Sequence, residues 1–173
     1  TLHLGVDFWL PSQTPVHTPL KAEVVVASYN PESKQYGGLV ILKHKEDGMV
    51  FYTLYGHLCK ASVIAQRVGD VLKKGDKIGV LGNPLENGHW APHLHFQIML
   101  SMLDNTQDFP GVAYPKQMQV WKSICPDPNL LFKNPKLRTQ YDAPSSEILD
   151  FRKKHLGKSL SISYQEPLNI VRG

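Results

Sequence analysis

Three histidines fall within seven residues of the stretch GHWAPHLHFQI, Gly88 to Ile98, and two of them, His93 and His95, are separated only by Leu94. On a strand, residues two apart point to the same face, so His93 and His95 would look one way while Leu94 and Phe96 look the other. Such a pair suits a metal ion; the plainer alternative is two polar side chains on a solvent-facing surface, which an isolated HxH motif does not exclude. The beginning of the chain adds a second pair. In HLGVDF, His3 and Asp7 stand four apart on a strand, again on one face, with Leu4, Val6 and Phe8 toward the core and Gly5 leaving room for an ion. His57, at the end of the alternating run VFYTLY, is a third pointer on a strand that would lie beside the other two.

Zinc accepts imidazole nitrogen and carboxylate oxygen in a tetrahedral shell, and hydrolytic sites use three protein ligands with the fourth position left to water. Two histidines and one aspartate fill such a shell. The remaining histidines match what the chemistry further requires: a base for the proton of that water and a group that stabilises the oxyanion, both close to the ion without ligating it.

These residues need strands to bring them together, and the chain supplies short β-type segments: HLGVDFW, AEVVVASY, GGLVILKHK, MVFYTLYGHL, KIGVLG and HLHFQIM. The KEDGM turn around Gly48 separates two alternating runs, as in an antiparallel hairpin with one buried face and one face free for function. The stretch SMLDNTQDFPGVAYPKQ reads as a long loop, and DPNLLF as a cap on the core near Phe132. From residue 134 the composition turns polar and proline-spaced. Within that tail, SSEILDFRKKHLG carries a short amphipathic helix pattern, with Ser145 or Ser146 as N-cap and Gly157 as stop.

Composition narrows the function classes. With 173 residues, 42% hydrophobic and 20% charged, the chain can bury one main core. No run approaches the roughly 18 apolar residues of a membrane span, so no membrane partner is expected. The net charge of +4 is scattered, without the basic cluster of a nucleic-acid surface. Cys59 and Cys125 lack CxxC spacing and are compatible with one disulfide or two thiols. Thr1 opens the chain without an initiator methionine or a leader-like stretch, which reads as a piece of a longer protein.

In order along the chain, HLGVDF, TPVHTPLKAEVV, YGGLVILKH, FYTLYGHL, VGDVLKKGDKIGVLGN and PHLHFQI resemble the lysostaphin-type zinc endopeptidases, which cleave peptide bonds of bacterial peptidoglycan. The resemblance covers roughly the first hundred residues in the family's order, far more than one motif. It implies a mostly β fold, a two-layer antiparallel β structure with an open groove, over residues 1–133. It implies that His3, Asp7 and His95 hold Zn2+, and that His57 and His93 are the unligated catalytic histidines. His93 is then the general base and His57 the stabiliser of the intermediate, or the reverse. His89 and Trp90 depart from the family, which has small residues there; Trp90 would wall the groove or pack on its own loop, and His89 would be an exposed loop residue or, less in keeping with its position, a third histidine of the pocket. His17, His44 and His155 receive no function, with exposed polar roles expected for the first two. The segment VGDVLKKGDKIGVLG also resembles the hairpin of biotinyl and lipoyl carriers, but no lysine-bearing turn stands between its halves.

The tail, ILDFRKKHLGKSLSISYQEPLNIVRG, resembles the lead-in to class III aminotransferases and lacks their Schiff-base lysine region, so residues 134–173 read as a linker and the start of a following domain. That context implies a multidomain, cytoplasmic protein whose other domains are possible partners. The resemblance implies a zinc-dependent endopeptidase or amide hydrolase acting on a peptidoglycan-like or short peptide. A different class stays open beside it: a noncatalytic ligand-binding or scaffolding module with a structural zinc.

Overall fold

The computed structural model describes residues 1–133, and the proposed tail helix between Ser145 and Gly157 lies outside them. The centre is a six-stranded antiparallel sheet built from β2 (Val6–Phe8), β4 (Ala22–Asn30), β5 (Gly37–Glu46), β6 (Met49–Leu58), β7 (Val71–Leu72) and β9 (Leu94–Met99), in the order β2-β9-β6-β5-β4-β7. Two ribbons complete it: β1 (Leu2–His3) with β10 (Val112–Ala113), and β3 (Pro15–His17) with β8 (Lys77–Val80). The β5–β6 hairpin closes as its sequence demands. Glu46 pairs with Met49, leaving Asp47 and Gly48 as a two-residue loop with φ of 49° and 81°, the left-handed pair that matches the twist of the flanking strands.

Period-two alternation sorts the apolar residues onto both faces of the sheet. Val40 and Leu42 of β5, Tyr55 of β6 and Phe96 of β9 join Val16 and Ile78 of the β3–β8 ribbon in one cluster. Leu39, Ile41, Leu54 and Met99 join Leu4, Phe109 and Ala113 in the other. The cap expected near Phe132 is present: α3 (Asn129–Phe132) sets that ring 5.2 Å from Phe8 and 5.0 Å from Phe96. Cys59 and Cys125 are both buried and are not joined in a disulfide, and Cys59 caps α1 (Lys60–Ile64) by accepting the Ser62 N–H. Among the described residues no helix is long and apolar enough to cross a membrane.

Four expectations need correction. HLGVDFW is not one strand: it breaks at Leu4–Gly5, and its halves pair with β10 and β9, so Leu4 and Val6 enter different clusters. VGDVLKKGDKIGVLG is no hairpin, because β7 pairs with β4 and β8 with β3. The long loop after Ile98 is interrupted by β10 and followed by α2 (Met118–Ile124), whose Trp121 and Ile124 pack on the second cluster.

His44 is the fourth. It is wholly buried, stacked on Phe51 at 4.8 Å. Its Nδ1–H donates to the Lys21 carbonyl at 3.0 Å, so Nε2, 2.7 Å from Thr53 Oγ1, accepts from that hydroxyl. Burial holds the ring's pKa below its ordinary value, against the opposing pull of the Lys21 carbonyl and Glu46. The unfolded chain therefore takes up this proton first, so the stability tied to neutral His44 is complete above about pH 6.5 and is lost as pH falls below it. His44→Gln, which keeps an acceptor for Thr53 but cannot titrate, is expected to lower stability at pH 7.5 by about 1–3 kcal/mol and to flatten its decline toward pH 5. Urea midpoints across that range read both effects, and parallel pH profiles for the two proteins would contradict the assignment.

Candidate functional site

The pairing of β2 with β9 sets Asp7 directly opposite His95. His3, on β1, reaches the same point from across the interruption between β1 and β2 at Leu4–Gly5. The result is a compact triad: Asp7 Oδ1 lies 3.3 Å from His3 Nε2 and 3.3 Å from His95 Nδ1, and the two nitrogens are 3.0 Å apart. Among the described residues this is the one group of three His, Cys, Asp or Glu side chains close enough to share an ion. The space at Gly5 serves another purpose than expected. A Cβ there would stand 2.4 Å from the Phe96 carbonyl and 2.8 Å from His95 Nε2, so glycine admits the His95 ring and the neighbouring strand, not the ion itself.

His93 and His57 border the triad. His93 immediately precedes β9, and its Nε2 lies 3.8 Å from Asp7 Oδ1. His57 arrives by a less regular route. On β6, Tyr55 pairs with Val40 and Leu58 with Gly38, so two residues of β6, Gly56 and His57, oppose the single Leu39 of β5. This bulge, with His57 at φ 67°, breaks the alternation and brings the imidazole to 4.2 Å from that of His93. Left-handed backbone at a non-glycine residue is held in place by its surroundings; here the His57 N–H donates to the Tyr36 carbonyl and its own carbonyl accepts from Gly82, both at 2.9 Å.

Each ring has a partner on its far side, and those partners fix the tautomers. His3 Nδ1–H donates to the Gly5 carbonyl at 2.9 Å, His57 Nδ1–H to that of Asn87 at 3.0 Å, and His93 Nδ1–H to that of Ala91 at 2.7 Å. His95 Nε2–H donates to Gln97 Oε1 at 3.1 Å. A carbonyl oxygen only accepts, so in the neutral rings His3 Nε2, His95 Nδ1, His93 Nε2 and His57 Nε2 are bare lone pairs. Burial keeps the rings of His93 and His57 neutral: it lowers both pKa values, and His57, also beside the His93 and His95 rings, is pushed down to about 3. For Asp7, burial favours the neutral acid, but His3 and His95 outweigh it and hold the carboxyl below the ordinary carboxylate range. Asp7 Oδ1 is buried. The inward-facing His3 Nε2 and His95 Nδ1 thus converge with an anionic oxygen at about hydrogen-bond distance, a cluster that needs positive charge at its centre, a shared proton or a metal cation.

The triad opens into a cleft of about 450 Å³ whose walls include Trp9, Lys34, Tyr36, Trp90 and Asp108. Trp90 takes the first of its two expected roles and walls the cleft, edge-on to His57 and His93 at 6.4 Å each; His89 is exposed on the same loop, and His17 is exposed on β3. Sequence reasoning did not find Tyr36, Trp9 or Gln97. Tyr36 lies 5.7 Å from His57 and 5.4 Å from His95 and donates its hydroxyl to the Phe109 carbonyl; burial drives its pKa well up, so it stays protonated. Gln97 carried a signal that was open to reading, since it continues the i, i+2 row of His93 and His95. Its side-chain N–H groups also donate to the Pro110 carbonyl at 3.2 Å and to Cys125 Sγ at 3.4 Å, which locks the amide with its oxygen toward His95. Gln97→Leu is expected to weaken metal binding by roughly 10- to 100-fold by freeing the His95 ring. Competition with a chelator of known affinity measures it; an unchanged affinity would remove Gln97 from the site.

The sequence profile of peptidase family M23 matches residues 1–108. Lysostaphin of Staphylococcus simulans is 32% identical over 149 residues, which cover 84% of this chain and 28% of that protein. The glycyl-glycine endopeptidase ALE-1 of Staphylococcus capitis is 36% identical over 104 residues, 60% of this chain and 26% of that one. Among solved structures, LytU aligns with a TM-score of 0.50 at 27% identity, over 76% of this chain and 72% of its own. The chain therefore spans less than a third of the length of these two curated relatives.

Proposed function

Since the chain belongs to peptidase family M23, we propose that it hydrolyses a peptide bond in a peptidoglycan-like or short peptide, with zinc held by His3 Nε2, Asp7 Oδ1 and His95 Nδ1. The observation that carries this reading is the convergence of two imidazole nitrogens and one carboxylate oxygen on a single point. Tetrahedral zinc with bonds of about 2.0–2.2 Å keeps its ligand atoms roughly 3.3 Å apart, and the three atoms here stand 3.0–3.3 Å from one another. A structural zinc is closed by four protein ligands; among the described residues the group here has three, which favours catalysis over the scaffolding alternative. When bound, zinc supplies Lewis acidity toward the scissile carbonyl and lowers the pKa of a water toward about 7.

The chain's own groups do the rest. His93 and His57, neutral and bare at Nε2, are proton acceptors that face the cleft, and the ring that takes the proton of the attacking water becomes a donor. Negative charge developing on the substrate oxygen is then met by that new N–H, and the same proton can pass to the leaving amine. Trp9, Tyr36, Trp90 and Phe109 give the cleft an apolar wall beside these groups.

The relatives suggest the first substrates to try. Purified protein is expected to bind one zinc per chain and to cleave glycyl-glycine bonds or the stem peptides of purified peptidoglycan, with products identified by mass spectrometry. A chain that takes up no stoichiometric zinc and stays inert after zinc addition would end the proposal.

A further inference from the structure

His93 lies at the end of a loop, one residue before β9, so the sheet ladder does not fix its ring. One hydrogen bond, from Nδ1–H to the Ala91 carbonyl, holds an edge of the imidazole and leaves its plane free to turn about that contact. Two neighbouring rings restrict the plane. His57 lies 4.2 Å away at 43°, and the indole of Trp9 lies 4.5 Å away at 30°. His57 is anchored to the Asn87 carbonyl, and Trp9 follows β2 directly, two residues beyond Asp7. The indole is therefore carried by the strand that carries a proposed zinc ligand.

Trp9 is an uneconomical choice for simple packing. It is half-buried in the cleft wall, and its Nε1–H is buried without an acceptor, a cost that a phenylalanine would avoid. What the indole supplies at this position is a broad face laid against the imidazole, 4.5 Å away between centroids and tilted by 30°.

We propose that Trp9 is a positioning residue for His93: its ring fixes the plane of the imidazole so that Nε2 points into the cleft. This rests on the reading of His93 as a proton acceptor in hydrolysis. Because Nε1 has no partner, Trp9→Phe removes no hydrogen bond and retains an aromatic face, whereas Trp9→Ala removes the face itself.

The test compares wild type, Trp9→Ala and Trp9→Phe as zinc-loaded full chains. Trp9→Ala is expected to keep its zinc and to lower kcat by roughly 10- to 100-fold with little change in KM, as for a misoriented proton-transfer group; Trp9→Phe is expected to restore most of the loss. Alongside activity, the imidazole ring correlations of His93 in 15N-edited NMR are expected to be single and sharp in wild type and Trp9→Phe, and broadened or doubled in Trp9→Ala. Wild-type kcat in Trp9→Ala, a Trp9→Phe variant as slow as Trp9→Ala, or a loss that tracks missing zinc would each overturn the inference. If wild type itself cleaves nothing, the peptidase reading falls and the NMR comparison still decides whether Trp9 orients His93.

Discussion

Asp7→Asn is expected to strip the protein of its ion and its hydrolysis together and to make the ion-free chain less resistant to heat. Asp7 supplies the only anionic ligand of the triad, at 3.3 Å from both ligand nitrogens. Replacing it should weaken metal binding by more than the roughly 100-fold that loss of an outer partner can cost, and activity should drop to background. The stability effect has a direction of its own. His3 and His95 hold the Asp7 carboxyl below the ordinary carboxylate range, so the ionised side chain stabilises the ion-free fold at neutral pH, and the neutral asparagine is expected to lower its melting temperature. Scanning calorimetry with and without zinc separates the effects: zinc should raise Tm in wild type by mass action and leave the variant unmoved. A metal-free variant that melts above metal-free wild type would contradict the coupling of Asp7 to His3 and His95.

Removing His93 or His57 should produce the complementary result, with zinc retained and turnover lost. Neither ring is among the three atoms that define the triad, and each presents a bare Nε2 to the cleft. General acid–base groups contribute about 10²–10⁴-fold, so His93→Ala should lower kcat by that order with zinc content unchanged. At position 57 the backbone conformation complicates alanine, which pays for the left-handed φ of 67°. His57→Asn is the cleaner substitution, because asparagine tolerates that conformation and does not titrate. The double variant should be little slower than the worse single one if the two rings pass one proton between them, since groups that act as a unit are not additive. Full turnover with zinc bound in either single variant would return that histidine to a packing role.

The strands and the histidine pairs were open to reading because they depend on local rules. Alternation in AEVVVASY and GGLVILKHK marks strands whether or not their partners are known, and His93 with His95 share a side by strand periodicity alone. What escaped depends on the third dimension. The Gly56–His57 bulge exists only relative to Leu39 on the neighbouring strand, so a run that looks regular hides the residue that leaves it. His44 looked like a polar side chain near a turn, but it is buried because the Lys21 carbonyl and the Thr53 hydroxyl both reach it, and Lys21 is 23 positions away. The break at Leu4–Gly5 reflects the close approach of the Phe96 carbonyl and the His95 ring, and α2 is held by packing against the second cluster more than by any capping residue of its own.

The loop between β8 and β9 directs both cleft-facing histidines through its backbone, by the carbonyls of Asn87 and Ala91. Main-chain oxygens are blind to the identity of the side chains beside them. An exposed position on this loop such as Leu85 can therefore be randomised as long as the trace holds, and the proton-handling apparatus should tolerate it, whereas His89, at φ 66°, is best kept to residues that accept left-handed backbone. That makes the loop a natural place to graft new selectivity by directed evolution, with diversity at the rim and the chemistry left intact beneath.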